Sequence, residues 1–140
     1  MRQILLFAAL AASLALLSGC ALSRAKEDKA EDMTDKAAYQ KISAEEAYEM
    51  MASQEVVVVD VRTREEYDGG HIENAVLVPN ESIVSEMPEA PPDKEATLLV
   101  YCRSGRRSKD AAQKLLALGY QSVYDFGGVI DWPYELVKEG

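Results

Sequence analysis

Residues 97–119, TLLVYCRSGRRSKDAAQKLLALG, decide the fold, because a strand pattern leads directly into a helix pattern. The apolar run 97–101 shows no polar alternation, which is typical of a strand covered on both faces of a parallel sheet. Between Ser104 and Leu118 the apolar residues lie on one helical face, and Gly119 follows as a helix C-cap. That face comprises Ala111, Ala112, Leu115, Leu116 and Leu118. The stretch therefore predicts a buried strand and a helix with Cys102 at their junction.

The chain after residue 38 repeats this alternation of strands and helices. Three more apolar runs predict strands at residues 55–60, 75–78 and 122–125. Ser43 and Glu46 have the spacing of a capping box, which predicts a helix over residues 44–52. Strands separated by helical segments pair in parallel through right-handed crossovers. We therefore predict that residues 39–140 form a three-layer α/β domain with a central, mainly parallel sheet flanked by helices.

Cys102 lies where a sheet of this kind binds its ligands, beyond the carboxyl ends of the strands. The predicted strands end at Asp60, Val78, Tyr101 and Asp125. Arg106 and Arg107 fall in the first helical turn, where cations oppose the helix dipole at a cost of about 0.3–1 kcal/mol each. An anion held in the loop would remove that cost, because backbone N–H groups at a helix N-terminus converge on negative charge. The same field lowers the pKa of a cysteine, so the sequence predicts Cys102 as a nucleophilic thiolate.

The overall composition makes this arginine cluster a local exception. The 140 residues contain 15 Lys and Arg against 24 Asp and Glu, a net charge of −9. Such a charge opposes broad binding to nucleic acid phosphates or to anionic lipids, so we expect no nucleic acid partner. Two cysteines are too few for a disulfide framework, and one histidine excludes a multi-histidine metal site within one chain.

The front of the chain has the pattern of an export signal. An apolar run over residues 4–17 is shorter than the roughly 20 residues that a membrane-spanning helix needs, so residues 1–19 are predicted to be a signal peptide. A Ser-Gly pair directly before Cys20 resembles the bacterial lipobox, which implies that Cys20 carries lipid. Residues 20–38 then form a charged, flexible linker. We expect a lipid-anchored protein on the extracytoplasmic side of the cell envelope, periplasmic or outer; the alternatives are ordinary cleavage and an uncleaved anchor.

Three motifs together resemble the rhodanese-like sulfurtransferases. Residues 59–75 with Pro79 are similar to the first signature of that family, and residues 102–108 are similar to its active-site loop. Residues 126–128, Phe-Gly-Gly, followed by Asp-Trp at 131–132, are similar to its C-terminal signature. The motifs occur in the expected order, so the resemblance implies the rhodanese-like fold.

The resemblance also implies an activity. Cys102 would accept a sulfane sulfur from thiosulfate or a persulfide donor and pass it to cyanide or a thiol acceptor. The small anionic donor would be bound by the loop, with no metal or organic cofactor. The implied substrate-binding residues are Arg103, Ser104, Gly105, Arg106, Arg107 and Ser108.

Several alternatives and weaker assignments accompany this reading. Related phosphatases and arsenate reductases have an arginine six residues after the cysteine, where this chain has Ser108. Those activities are disfavoured because that arginine is absent. A disulfide oxidoreductase is disfavoured because the chain lacks a Cys-x-x-Cys motif. A non-catalytic sulfur-binding or docking module at the membrane surface stays open as the alternative function. We predict structural roles for Asp60 and Arg62 near the site and for His71, and we favour a monomer.

Overall fold

A computed structural model describes residues 38–84 and 93–138, and within these ranges five strands form one parallel sheet. The strands are β1 (Gln40–Lys41), β2 (Val57–Asp60), β3 (Val76–Leu77), β4 (Thr97–Cys102) and β5 (Ser122–Gly128). Their order across the sheet is β1-β5-β4-β2-β3, and every neighbouring pair runs parallel. The predicted α/β fold with a parallel sheet is confirmed, with β4 at its centre.

Two layers of helices cover the sheet. The helices are α1 (Ala44–Ser53), α2 (Arg64–Asp68) and α3 (Arg106–Ala117), with short 3-10 helices at Asn80–Ser82 and Val129–Asp131. Alternate residues of β4 face opposite layers: Leu98 and Val100 pack with α3, whereas Leu99 and Tyr101 pack with α1 and α2. A strand buried on both faces has no polar side, which explains the continuous apolar run in the sequence.

The helix ends show how local chemistry sets the element boundaries. Ser43 and Glu46 form the predicted capping box at the start of α1. Gly119 follows the C-cap of α3 with a φ of 96°, and the N–H of Tyr120 donates to the carbonyl of Leu115. This is a Schellman end, in which a glycine adopts the left-handed conformation just beyond the helix.

Several element boundaries differ from the sequence prediction by one to three residues, and two of the differences bear on the site. Helix α3 begins at Arg106 rather than Ser104, because Gly105 adopts a left-handed conformation with a φ of 94° and residues 103–105 form a loop. Strand β5 continues to Gly128, three residues beyond the predicted end. The predicted signal peptide (1–19) and lipidated Cys20 lie outside the described residues. Among the helices described, none combines the length and apolarity needed to cross a bilayer.

A buried polar cluster ties the ends of β2 and β4 together. The Arg62 guanidinium donates to both carboxylate oxygens of Asp60 at 2.7–3.0 Å and also to the carbonyl of Gly70. The hydroxyl of Tyr101 donates to Asp60 at 2.6 Å and accepts from the N–H of Ile72 at 3.1 Å. Asp60 and Tyr101 are fully buried, so water cannot reach their polar atoms. The hydrogen bonds of this cluster satisfy those atoms instead.

The Tyr101→Phe substitution tests the energetic role of this cluster. Removal of the hydroxyl leaves the Ile72 N–H without its partner and Asp60 with one donor fewer, so we expect the free energy of unfolding to fall by about 1–3 kcal/mol. Tyr124→Phe is the matched control on the neighbouring strand, and we expect it to change stability by less than about 0.5 kcal/mol. Denaturant unfolding of both variants measures the difference. Equal effects from the two substitutions would contradict this role.

Candidate active site

The site is built around the sulfur of Cys102, the last residue of β4. The thiol is free and 1% exposed. After Cys102 the chain turns through residues 103–105 into α3, so the backbone wraps around the sulfur. The N–H of Gly105 donates to Sγ at 3.0 Å, and the backbone of Ser104 and Ser108 also hydrogen-bonds to the sulfur. Backbone donors that converge on one atom favour negative charge at that atom.

These donors determine the charge state of the thiol. Burial alone raises the pKa of Cys102, because a thiolate loses its solvation. Hydrogen bonds with the backbone and side chain of Ser108, and with the backbone of Gly105 and Ser104, outweigh burial and hold the pKa of Cys102 below its ordinary value. The hydrogen bonds of the loop are thus the cause of the lowered pKa of Cys102.

The loop is held in place by a close approach of β5. A Cβ atom on Gly128 would overlap the carbonyl oxygen of Arg103 and lie 2.6 Å from the Cα of Ser104. The N–H of Ile130 also donates to the Arg103 carbonyl at 3.2 Å. No side chain fits at position 128, so glycine is required there. Gly127 is favoured for a different reason, because its φ of 94° lies in the left-handed region. Strand β5 ends at this glycine pair, and a 3-10 helix begins at Val129.

A buried carboxylate lies behind the cysteine loop. Asp125 is 1% exposed, and it accepts hydrogen bonds from the Ser108 hydroxyl at 2.7 Å and the Gly127 N–H at 2.9 Å. The Ser108 oxygen is in turn 3.7 Å from the sulfur of Cys102. Asp125 thus fixes the Ser108 side chain, which contacts the sulfur of Cys102. We predicted Asp125 only as a strand end, because its link to Ser108 spans 17 residues.

Strand β1 brings a further cation to the site. Lys41 lies 3.3 Å from Asp125, and its ammonium is within about 4 Å of the positions that a Cβ on Gly105 or Gly127 would occupy. The hydroxyl of Tyr39 also donates to Asp125 at 2.7 Å, and burial together with this carboxylate raises the pKa of Tyr39 to about 12. Sequence reasoning missed Lys41, because the two-residue strand β1 has no readable periodicity.

The three arginines of the loop occupy different environments. Arg107 forms a bidentate pair with Glu66 of α2, with N···O distances of 2.7 and 2.8 Å. Those hydrogen bonds lower the pKa of Glu66 to about 2. Arg103 and Arg106 are exposed and form no ion pair within residues 38–84 and 93–138. Arg107 therefore links α3 to α2. The predicted contact of Arg107 with substrate would be a second role of the same side chain.

The remaining predicted residues have structural surroundings. Asp60 and Arg62 bond to each other and to the backbone at the neighbouring strand end. His71 is buried, stacks on the ring of Tyr67 at 3.7 Å and contacts the Tyr67 carbonyl through Nδ1 at 3.0 Å. Within the described ranges, no three His, Cys, Asp or Glu side chains come together as metal ligands. Cys102 and its loop are therefore the chemical centre of this part of the chain.

Comparisons with known proteins agree with this geometry. The family model described as Rhodanese-like domain matches residues 43–133. A rhodanese from E. coli, solved with anions, is 35% identical, with a TM-score of 0.56 over 61% of this chain and 100% of its own. A human single-domain sulfurtransferase is 27% identical, with a TM-score of 0.60 over 66% of this chain and 93% of its own.

Similar curated sequences include larger proteins. A tRNA uridine(34) hydroxylase from Hamiltonella defensa is 35% identical over 112 residues, which is 75% of this chain and 32% of the relative. This chain thus spans about a third of the length of the curated relatives that it matches.

The Ser108→Ala substitution tests how the loop activates Cys102. The Ser108 hydroxyl contacts both Asp125 and Sγ, and its contact with the sulfur holds the pKa of Cys102 down, so the pKa rises when the hydroxyl is removed. The pH profile of alkylation by iodoacetamide therefore moves to higher pH. Ser104→Ala is the matched control, because it keeps the backbone N–H and leaves the profile in place. An unchanged profile in Ser108→Ala would contradict the assignment of this hydroxyl.

Proposed function

Because the chain belongs to the rhodanese-like domain family, we propose that it is a sulfurtransferase that carries a sulfane sulfur on Cys102. The observation that carries the proposal is the position of Sγ, which lies at the end of β4 and receives backbone hydrogen bonds from the loop. A terminal persulfide sulfur is an anion that needs such donors. The similarity to a human single-domain sulfurtransferase supports the same activity.

The first half-reaction loads the cysteine. The Cys102 thiolate attacks the outer sulfur of thiosulfate and forms a new S–S bond, while the S–S bond of the donor breaks. The bonding pair leaves with sulfite, so Cys102 becomes a persulfide anion and the total charge is unchanged. The lowered pKa of the thiol supplies the nucleophile without a separate base. A persulfide donor reacts in the same way and leaves as a thiolate.

The second half-reaction empties the cysteine. Cyanide or a thiolate attacks the terminal sulfur, and the S–S bond to Cys102 breaks with its electron pair on Sγ. The products are thiocyanate, or a new persulfide, and the original thiolate. A cysteine of low pKa is a good leaving group, so the hydrogen bonds that activate the attack also favour release.

Local positive charge explains how an acidic chain attracts an anionic donor. Arg103 and Arg106 are exposed beside Cys102, and Lys41 approaches the loop from β1. These cations act over a few ångströms, whereas the net charge of −9 is spread over the whole chain. The E. coli rhodanese solved with anions supports an anion site of this kind.

Two other functions are less well supported. A non-catalytic sulfur-binding or docking module would need neither a low-pKa thiol nor free arginines, and this chain has both. The curated relatives are named for hydroxylation of a tRNA uridine, but this chain spans about a third of their length. Its net charge of −9 also opposes contact with RNA phosphates. We therefore propose a small anionic donor rather than tRNA.

Turnover with thiosulfate and cyanide tests the proposal. The purified chain is expected to form thiocyanate, and Cys102→Ser is expected to reduce the rate to that of the uncatalysed reaction, because Cys102 is the one cysteine within residues 38–84 and 93–138. Colorimetric assay of thiocyanate measures both rates, with thermal unfolding of the variant as the control for folding. Turnover retained in Cys102→Ser would contradict the proposal, and a wild-type chain without turnover would favour the docking module.

Charge reversal at Arg106 tests the attraction of the donor. Arg106→Glu places a carboxylate beside the loop, so we expect the KM for thiosulfate to rise about tenfold with a smaller change in kcat. Lys109→Glu makes the same change of charge one helical turn further along α3, at another exposed position, and is expected to have a smaller effect. Equal KM values for the two variants would show that the net charge of the chain, and not the charge beside the loop, sets the KM for thiosulfate.

A further inference from the structure

A second concave site lies away from the cysteine loop. This groove has a volume of about 700 Å³, within the range of small-molecule sites, and none of its lining residues belongs to residues 102–108. Four segments form it: the last turns of α1, the start of β2, residues 72–74 and residues 132–135. The mechanism proposed above uses none of these residues.

Three aromatic rings form one wall of the groove. Tyr48 and Tyr134 stack with ring centroids 3.9 Å apart and planes 18° apart, and Trp132 stands nearly perpendicular to Tyr134 at 5.0 Å. The stacked pair and the Trp132 ring therefore make a corner of two π surfaces. Tyr48 is 46% exposed and Tyr134 is 37% exposed, so a ligand can reach this corner.

The charged groups of the groove all have the same sign. Glu73 and Glu135 line it, both are exposed, and neither forms an ion pair within the described residues. No Lys, Arg or His side chain is among the lining residues. Helix α1 also presents its C-terminal end here through Met51 and Ala52, with no basic residue in its last turn. A helix C-terminus carries partial negative charge, which adds to that of the carboxylates.

The floor of the groove is apolar. Met51, Val56, Val58 and Ile72 contribute aliphatic surface beneath the rings and carboxylates. An anion would be repelled by the carboxylates, and a strongly hydrated metal ion would gain nothing from aliphatic walls. The combination favours a ligand with a positive head and an apolar body.

We propose that this groove binds an amphipathic organic ammonium ion. The cationic head lies against the exposed faces of Tyr48 and Tyr134, where the ring quadrupoles attract positive charge, next to the largely buried Trp132. Glu73 and Glu135 supply the complementary charge, and the apolar body covers Met51 and its neighbours. The proposal is independent of the sulfur chemistry, because the groove and the cysteine loop share no residue.

Three small probes with a positive, a neutral and a negative head group separate charge from apolarity: butyltrimethylammonium, 1-butanol and butyrate. Trp132 is the single tryptophan of the chain, so its fluorescence reports on the groove directly. We expect saturable quenching of the full chain in a neutral maltoside detergent by butyltrimethylammonium. Its affinity should exceed that of 1-butanol by at least about tenfold, with butyrate the weakest.

Two pairs of variants locate the recognition. Glu73→Gln with Glu135→Gln should weaken the ammonium about fivefold and leave 1-butanol unchanged. The matched control, Glu45→Gln with Glu95→Gln, makes the same change in net charge at exposed positions outside the groove and should have no effect. Tyr134→Leu should weaken the ammonium selectively, whereas Tyr134→Phe keeps the ring and should retain binding.

Several outcomes would overturn the proposal. Equal affinities for the three probes would show a general apolar surface, suited to a second copy of the chain or to another protein. Equal losses in the two glutamate pairs would show that net charge alone acts. Cys102→Ser should bind the ammonium as the wild type does, so a failure of sulfur transfer and a failure of this site are distinguishable.

Discussion

The close approach of two backbone segments, 103–104 and 127–128, is the constraint on which the site depends. Gly128 packs against Arg103 and Ser104 so tightly that any side chain there would overlap them. This packing holds the loop in the conformation in which the Gly105 N–H points toward the sulfur of Cys102. Gly105 is also the N-cap of α3 and adopts the left-handed conformation there. The activation of the thiol thus depends on this backbone geometry together with the Ser108 side chain.

Buried polar groups give this geometry its rigidity. Asp125 fixes the Ser108 hydroxyl beneath the sulfur, and the cluster of Asp60 with Tyr101 joins the ends of two strands. The pair of Arg107 with Glu66 links the helices on the two faces of the sheet. Such groups are costly to bury unless each finds its partner, so together they favour one arrangement of the loop. The groove lined by Trp132 carries the opposite charge, so the two sites suit different ligands.

Most of the fold could be predicted from the sequence, and so could the position of Cys102 at the end of β4, because both follow from local patterns. The apolar run of β4 and the capping box of α1 predict their elements correctly. A T-x-x-E capping box at Thr63 marks the start of α2 in the same way. Contacts between distant segments were not predictable: the pair of Arg107 with Glu66 spans 41 residues, and the approach of Gly128 to the loop depends on the register of β5 beside β4.

The central claim is that the cysteine loop stabilises a sulfur anion on one particular atom. Intact-mass analysis of the chain after incubation with thiosulfate, followed by peptide mapping, tests it most directly. We predict a mass increase of one sulfur atom that maps to Cys102, and loss of the adduct when cyanide is added. A chain that gains no sulfur, or that gains it elsewhere, would contradict the role of the loop.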